Sequence, residues 1–181
     1  MRTYRNSFYT ILEDGRLKIE DADVIFRNFR GLEKKTPHGD IVNAEGDQNF
    51  CVMIHDVDLA NKLSDEQWNI KTLVDKETEE LHYYLPVTVR FIPYPPRIVQ
   101  QTGARRNYLD EESVKNLDNA FFKRCDIVIK PSHWTARGNS GVKAYLKTMY
   151  VDLEIDEFEE AWGGSGYGDD AYGENACPED E

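Results

Sequence analysis

The sequence predicts a mainly β fold: an OB-like Greek-key barrel with one or two short helices, followed by a disordered acidic C-terminal tail. Three observations predict it: short segments dense in β-branched and aromatic residues, little helical periodicity between them, and a glycine-rich acidic end. At 181 residues the chain accommodates one domain with a hydrophobic core. A β-sandwich is the alternative, but a half-closed five-stranded barrel with a helix between strands fits this length, and such barrels bind single strands.

The predicted strands are recognised by residue type and by alternation. The clearest alternation runs through Tyr83, Leu85, Val87, Val89 and Phe91, with more polar residues between them. A hairpin turn is predicted over residues 137–141, where glycines can adopt positive φ. The predicted strands cover residues 17–29, 49–55, 81–92, 125–135 and 142–155.

Two short helices are predicted as packing elements. The first covers residues 57–63 and begins at Asp56 or Asp58, both of which are favourable N-cap residues. The second covers residues 110–121, where apolar side chains recur at three- and four-residue spacing up to Phe121.

The net charge of −12 is distributed unevenly along the chain. Residues 151–181 hold twelve acidic residues and no Lys or Arg, so residues 1–150 are neutral as a whole. Within that body, residues 85–150 hold eleven basic and five acidic residues. A surface that binds a polyanion is therefore expected in this part of the chain.

The glycine-rich acidic end has almost no aliphatic side chains to bury against the entropy cost of ordering. The sequence therefore predicts an OB-like nucleic-acid-binding domain over residues 1–161 and a disordered acidic tail over residues 162–181. The tail is flexible enough to reach back over the body or outward to a partner.

Basic residues interleave with aromatic residues in three clusters, which cover residues 26–35, 90–106 and 130–147. Binding an unpaired strand requires cations for phosphates and flat ring faces on which bases stack. In strand geometry Arg27 and Phe29 would share one face, and Lys143, Tyr145 and Lys147 would share another. The predicted nucleic-acid-binding residues are Arg27, Phe29, Arg30, Lys34, Lys35, Arg90, Tyr94, Arg97, Arg105, Arg106, Lys130, Trp134, Arg137, Lys143, Tyr145 and Lys147.

Signatures of common enzymes and metal sites are absent from the sequence. It contains no P-loop, no H-E-x-x-H, no C-x-x-C and no G-x-S-x-G motif. The three cysteines have no metal-ligand spacing, and Cys51 and Cys125 lie in apolar stretches as expected of buried thiols. We therefore predict a non-enzymatic protein without cofactor or bound metal, although His55 with Asp56 and Asp58 offers a minor metal-site alternative.

Targeting and membrane segments are also not apparent. The sequence has no run of about 18 uncharged apolar residues, and the N-terminus lacks the apolar stretch of a signal peptide. The chain is expected to be a cytoplasmic protein that does not interact with membranes.

Five stretches resemble the single-stranded DNA-binding proteins of tailed bacteriophages: residues 23–29, 46–52, 68–71, 129–134 and 141–151. The resemblance implies an OB-like body that coats single-stranded DNA without sequence preference during replication, recombination or repair. It also implies an acidic tail that recruits replication or recombination proteins and competes with DNA for a basic groove. This tail departs from the pattern, because it ends Cys177-Pro178-Glu179-Asp180-Glu181 rather than in an apolar residue.

Two other functions remain open at this stage. One is a protein-interaction module that binds a host protein or mimics DNA through its acidic tail. The other is a metal-dependent nuclease, which would require Asp23, Asp47, Asp56 and Asp58 to converge in space. Self-association is also left open, because cooperative coating is common among single-strand binders.

Overall fold

The computed structural model describes residues 3–155, in which strands dominate. The strands are β1 (Phe8–Ile11), β2 (Leu17–Glu20), β3 (Val24–Asn28), β4 (Lys34–Lys35), β5 (Ile41–Asn43), β6 (Asn49–Ile54), β7 (Lys71–Val74), β8 (Leu81–Thr88), β9 (Arg97–Thr102), β10 (Arg105–Leu109), β11 (Phe122–Ala136) and β12 (Asn139–Leu153). Helix α1 covers Val57–Asp65, and a 3-10 helix covers Ser113–Asp118. The predicted acidic tail, residues 162–181, lies outside the described residues.

The long antiparallel hairpin of β11 and β12 organises the sheet. β2 pairs with β11 on one side, and on the other side β8 and β9 each run parallel to part of β12. The hydrogen-bonded path is β1-β2-β11-β12-β8-β6-β3, with β10 beside β9, β7 beside β8, and β4 and β5 forming a separate small sheet. Over residues 3–155 this path does not close fully, and the architecture confirms the predicted mainly β, OB-like class.

Alternation along β12 places one set of side chains in the core and the other set outside. Val142, Ala144 and Leu146 are buried, whereas Lys143 between the first two and Lys147 after Leu146 are exposed. The register of β11 against β12 shifts between Val128 and Ile129, so that beyond Lys147 the alternation of buried and exposed residues moves by one position. The strand consequently supplies an apolar inner face and a polar outer face over the same length.

Helix α1 begins where the sequence predicted, because Asp56 is its N-cap. The Asp56 carboxylate accepts a hydrogen bond from the Leu59 backbone N–H at 3.1 Å. Ala60 and Leu63 are buried on the inner side of the helix. The helix therefore acts as the packing element that was expected.

The prediction of a helix over residues 110–121 is wrong in type and extent, because only Ser113–Asp118 forms a 3-10 helix. The Asp118 carboxylate accepts a hydrogen bond from the Phe29 backbone N–H at 2.7 Å. This tertiary contact fixes the last residue of the segment against another strand. Phe121, expected on the apolar face, is 77% exposed.

The predicted strand over residues 17–29 is two strands, β2 and β3, joined through Asp21, which has φ 54°. β3 also contains a bulge, since its register against β6 shifts between Ile25 and Asn28 and Phe26 adopts φ 48°. The residues after Phe26 therefore do not follow the simple alternation of a strand, and they lie on the opposite side of the sheet from the one expected.

Strands β9 and β10 were missed by the sequence-based prediction. Proline-rich residues 93–96 indicated a turn-rich segment, yet the chain becomes extended directly after them. The reason is non-local: residues 97–102 pair in parallel with residues 148–153 of β12.

The prediction of buried thiols is confirmed for Cys125, whereas Cys51 is only half-buried. Burial raises the pKa of Cys125 to about 12 and that of Cys51 to about 11. Both thiols are therefore protonated near neutral pH.

None of the helices within residues 3–155 is long and apolar enough to cross a bilayer.

Candidate nucleic-acid interface

A groove of about 160 Å³ lies between the loop that follows β8 and the outer face of the β11–β12 hairpin. We call it the basic groove. It brings residues of the second and third predicted clusters together, although they are distant in sequence. Its lining residues are Arg90, Ile92, Pro93, Tyr94, Pro95, Pro96, Lys130, Ser132, Tyr145, Leu146 and Lys147.

Register across the hairpin places cations and a ring side by side. Lys130 is directly opposite Tyr145, and Ser132 is directly opposite Lys143, so these four side chains share a face. The Lys143 ammonium lies 5.6 Å from the centre of the Tyr145 ring. A base stacked on Tyr145 would thus bring its phosphate close to lysine side chains.

A second groove, of about 480 Å³, adjoins the first along β12. We call it the indole groove after Trp134, which is 45% exposed there. Trp134 lies across from Gly141, and a Cβ atom on Gly141 would stand only 2.7 Å from the indole ring. Only glycine admits the ring in this position. The lining residues are Gln67, Trp68, Asn69, Pro86, Thr88, Trp134, Ser140, Gly141, Val142, Lys143 and Ala144.

The elements that form both grooves come largely from two segments without acidic residues. Neither residues 81–109 nor residues 127–151 contain Asp or Glu, whereas together they carry eight Lys and Arg. Within residues 3–155, four cations of the two grooves make no salt bridge: Arg90, Lys130 and Lys147 of the basic groove and Lys143 of the indole groove. Their positive charge is therefore available to an anionic ligand.

The β9–β10 hairpin extends this basic surface beside β12. Arg97 pairs in register with Thr148, and its guanidinium lies 5.5 Å from the centre of the Tyr108 ring. Arg105 and Arg106 are exposed at the hairpin end, and Arg137 is exposed at the tip of the β11–β12 hairpin. None of these four arginines lines either groove. Arg105 and Arg106 lie beside the C-terminal end of β12, because their partners Thr102 and Gln101 pair with Leu153 and Asp152.

The first predicted cluster does not join this surface. Phe29 is fully buried and stacks on Phe50 with ring centres 5.2 Å apart, so its prediction as a base-stacking residue is wrong. The bulge in β3 is the physical reason, because it turns Phe29 into the core. Arg30 is half-buried, and exposed Lys34 and Lys35 lie on the small β4–β5 sheet rather than in either groove.

Arg27 is also corrected, because its guanidinium is engaged inside the fold. It lies 3.8 Å from the centre of the Phe122 ring and donates hydrogen bonds to the backbone carbonyls of Leu117 and Ala120. Burial lowers the pKa of this guanidinium from its usual range. The side chain therefore holds the 3-10 helix segment against β3 instead of facing the grooves.

Replacing Arg27 by methionine is expected to lower the free energy of unfolding by about 1.5–3 kcal/mol, because two half-buried carbonyls lose a charged donor. Oligonucleotide affinity of the folded protein should stay unchanged. Urea denaturation and a binding titration check both parts. Arg16→Met, at an exposed pair with Asp14, is the matched control and should change stability by about 0.5 kcal/mol or less. If folded Arg27→Met protein bound the oligonucleotide more weakly than the wild type, Arg27 would have to be assigned to the nucleic-acid interface.

The acids that the nuclease alternative required are used elsewhere. Asp23 lies 3.3 Å from the His55 ring nitrogen, and Asp56 caps α1. Over residues 3–155, no three His, Cys, Asp or Glu side chains come together in a way that could hold a metal ion.

Several groove residues were not predicted from the sequence. Ser132, Thr88 and Pro86 carry neither a charge nor an aromatic ring, so a pattern of basic and aromatic residues does not include them. The signal that could have found their neighbourhood is the complete lack of acidic residues in two long segments of an acidic chain.

The chain was compared with known proteins. The model of one family, described as "Putative phage ssDNA-binding domain", matches residues 7–174. No curated protein matches the chain.

Solved structures with the same fold include the single-stranded DNA-binding protein from bacteriophage Enc34. In complex with ssDNA, that protein is 12% identical to this chain with a TM-score of 0.53, over 86% of this chain and 95% of the other. Its structure without a stated ligand is 13% identical with a TM-score of 0.51, over 95% and 97% of the two chains. A C-terminally truncated form is 12% identical with a TM-score of 0.51, over 86% and 94%. At these identities the likeness concerns the fold.

Proposed function

We propose that this chain binds single-stranded DNA along the basic and indole grooves. The chain belongs to the phage ssDNA-binding domain family, whose model matches residues 7–174. The fold it shares with a phage protein solved in complex with ssDNA supports this proposal. The observation that carries it is the concentration of exposed rings and of cations without a salt bridge in residues 3–155, at the place where two acid-free segments meet.

The arrangement fits binding without sequence preference. Tyr145, Tyr94 and Trp134 offer ring faces, and stacking on a ring is available to every base at about 1–3 kcal/mol each. The lysines beside them would contact phosphates, which are identical at every position of the strand. The proposed activity is therefore binding and protection of unpaired DNA rather than catalysis.

The proposed setting is phage DNA replication, recombination or repair in the host-cell cytoplasm. Recruitment of replication or recombination proteins by the acidic tail, and self-association along the DNA, belong to the same proposal. Both rest on the resemblance and on the charge of residues 162–181 in the sequence.

A fluorescence titration with oligo-dT tests the proposed function. Binding should quench tryptophan emission, weaken with added salt because phosphate contacts release counterions, and exceed binding to duplex of equal length. With the four cations of the two grooves engaged, log affinity should fall against log salt with a slope of roughly −3, from about −0.7 per contact on a single strand. If the full-length protein ignores oligo-dT at low salt while binding a host protein, the interaction-module alternative replaces this proposal.

Deleting residues 162–181 is expected to tighten ssDNA binding at low salt, because these residues carry six acidic side chains and no basic ones and would compete with DNA for the grooves. The gain should shrink as salt screens the charges. Titrations of the full and shortened chains across a salt series measure it. Equal affinities at every salt concentration would contradict competition by the tail.

A further inference from the structure

The outer face of β12 continues onto β8. Tyr145 is paired with Thr88, and along β8 the residues Thr88, Pro86 and Tyr84 alternate with buried Val87 and Leu85. Thr88 and Pro86 line the indole groove. The surface that forms the grooves therefore leads along β8 to Tyr84, a residue that lines neither groove.

Tyr84 meets Phe26 at the end of this path. The two rings are 5.4 Å apart at an interplanar angle of 71°, and Phe26 is 51% exposed. Phe26 has φ 48°, a conformation that is rare for a bulky residue and that results from the bulge in β3. The backbone thus holds a large aromatic side chain in solvent while its neighbours Asn28 and Phe29 are buried.

The floor beneath these rings is a small apolar cluster on the outer face. Ile25 pairs with Cys51, and Met53 pairs with Tyr84. Ile25 and Met53 are buried, yet they are not part of the main core cluster. We call Phe26, Tyr84 and this floor the Phe26–Tyr84 patch.

Two lysines flank the patch. Lys71 pairs with Tyr84 across β7 and β8, and both Lys71 and Lys34 are close enough to the Cys51 thiol to oppose the rise of its pKa. Over residues 3–155, neither lysine forms a salt bridge. The patch therefore repeats the combination of an exposed ring and available cations that characterises the basic groove.

We propose that a single strand leaving the indole groove continues along β8 and stacks a base on the Phe26–Tyr84 patch, with Lys34 and Lys71 at its phosphates. This inference rests on the proposed function. Thr88 and Tyr84 are about 13 Å apart along the strand, at roughly 3.3 Å per residue, so the patch lies within the reach of one bound oligonucleotide.

Continuity and charge favour DNA over a protein as the occupant. The patch is connected to the grooves through Pro86 and Thr88, and its flanking charges at Lys34 and Lys71 are positive. A protein partner would be expected to bury a broader apolar area than one exposed phenylalanine beside a tyrosine.

The test compares oligonucleotides that differ in length. Oligo-dT of about 4 and about 16 nucleotides span the usual range per OB fold, and the shorter one is expected to occupy the basic groove alone. Phe26→Ala should leave affinity for the short oligonucleotide unchanged and weaken the long one by about 5- to 150-fold, the loss of one stacked base. Phe26→Tyr should bind both like the wild type, and Phe121→Ala, at a Phe that is 77% exposed, is the matched control.

Each outcome decides a different point. If the wild type binds neither oligonucleotide, the proposed function fails and this inference fails with it. If the wild type binds both oligonucleotides and Phe26→Ala binds the long one as tightly as the wild type does, DNA binding by the grooves remains supported. The Phe26–Tyr84 patch is then overturned as a DNA site. Equal weakening on both lengths, or failure of Phe26→Tyr to restore binding, would show a structural role for Phe26 and also overturn the inference.

Discussion

Replacing Lys130, Lys143 and Lys147 together by glutamine is expected to weaken ssDNA binding about 100-fold at about 0.1 M salt. Each lost phosphate contact makes the slope of log affinity against log salt shallower by about 0.7. Loss of three contacts therefore widens the difference in affinity between wild type and variant by about 100-fold for each tenfold reduction in salt below about 1 M. Lys130 and Lys147 line the basic groove, and Lys143 lines the adjoining indole groove. None of the three forms a salt bridge within residues 3–155. Titration with oligo-dT over a salt series measures both the affinity and the slope.

The matched control replaces Lys62, Lys76 and Lys123, which are exposed outside the two grooves, by glutamine. It makes the same change in net charge, so a general charge effect would weaken both variants alike. The groove variant should lose about two units of salt slope and the control should lose little. Equal slopes in the two variants would contradict the assignment of the basic groove.

Replacing Phe29 by alanine is expected to lower the free energy of unfolding by about 3–5 kcal/mol, because a fully buried ring leaves a cavity beside Phe50. The protein that remains folded should bind oligo-dT as tightly as the wild type, since no part of Phe29 reaches solvent. Chemical denaturation gives the stability, and titration under fully folded conditions gives the affinity.

Phe121→Ala serves as the comparison, because this ring is 77% exposed and its loss should change stability by only about 0.5 kcal/mol. A small loss of stability in Phe29→Ala together with a marked loss of affinity would restore Phe29 as a base-stacking residue.

The outer face of β12 could be predicted from the sequence because alternation is regular from Val142 to Lys147, before the register shift. Lys143, Tyr145 and Lys147 were expected to share one face, and the structure places them so. The signal is local: each side chain's direction follows from its position along one strand. The N-cap at Asp56 was predictable for the same reason.

The first cluster could not be predicted, because a bulge breaks the rule on which the prediction depended. Nothing in the residues Phe26-Arg27-Asn28-Phe29 shows that Phe26 will adopt positive φ and exchange the sides of its successors. Burial then decided the outcome, placing Phe29 in the core and Arg27 against backbone carbonyls. Similarly, β9 exists because it pairs with a strand about 50 residues away, and no local pattern reports such pairing.

The most direct measurement of the central claim is the mapping of protein–DNA cross-links in a complex of the full chain with bromodeoxyuridine-substituted oligo-dT. If the acid-free grooves hold the strand, cross-linked peptides should come mainly from residues 81–109 and 127–151, with Tyr145 and Trp134 among them. Cross-links confined to α1, β1 and β2, with none in those two segments, would contradict the account.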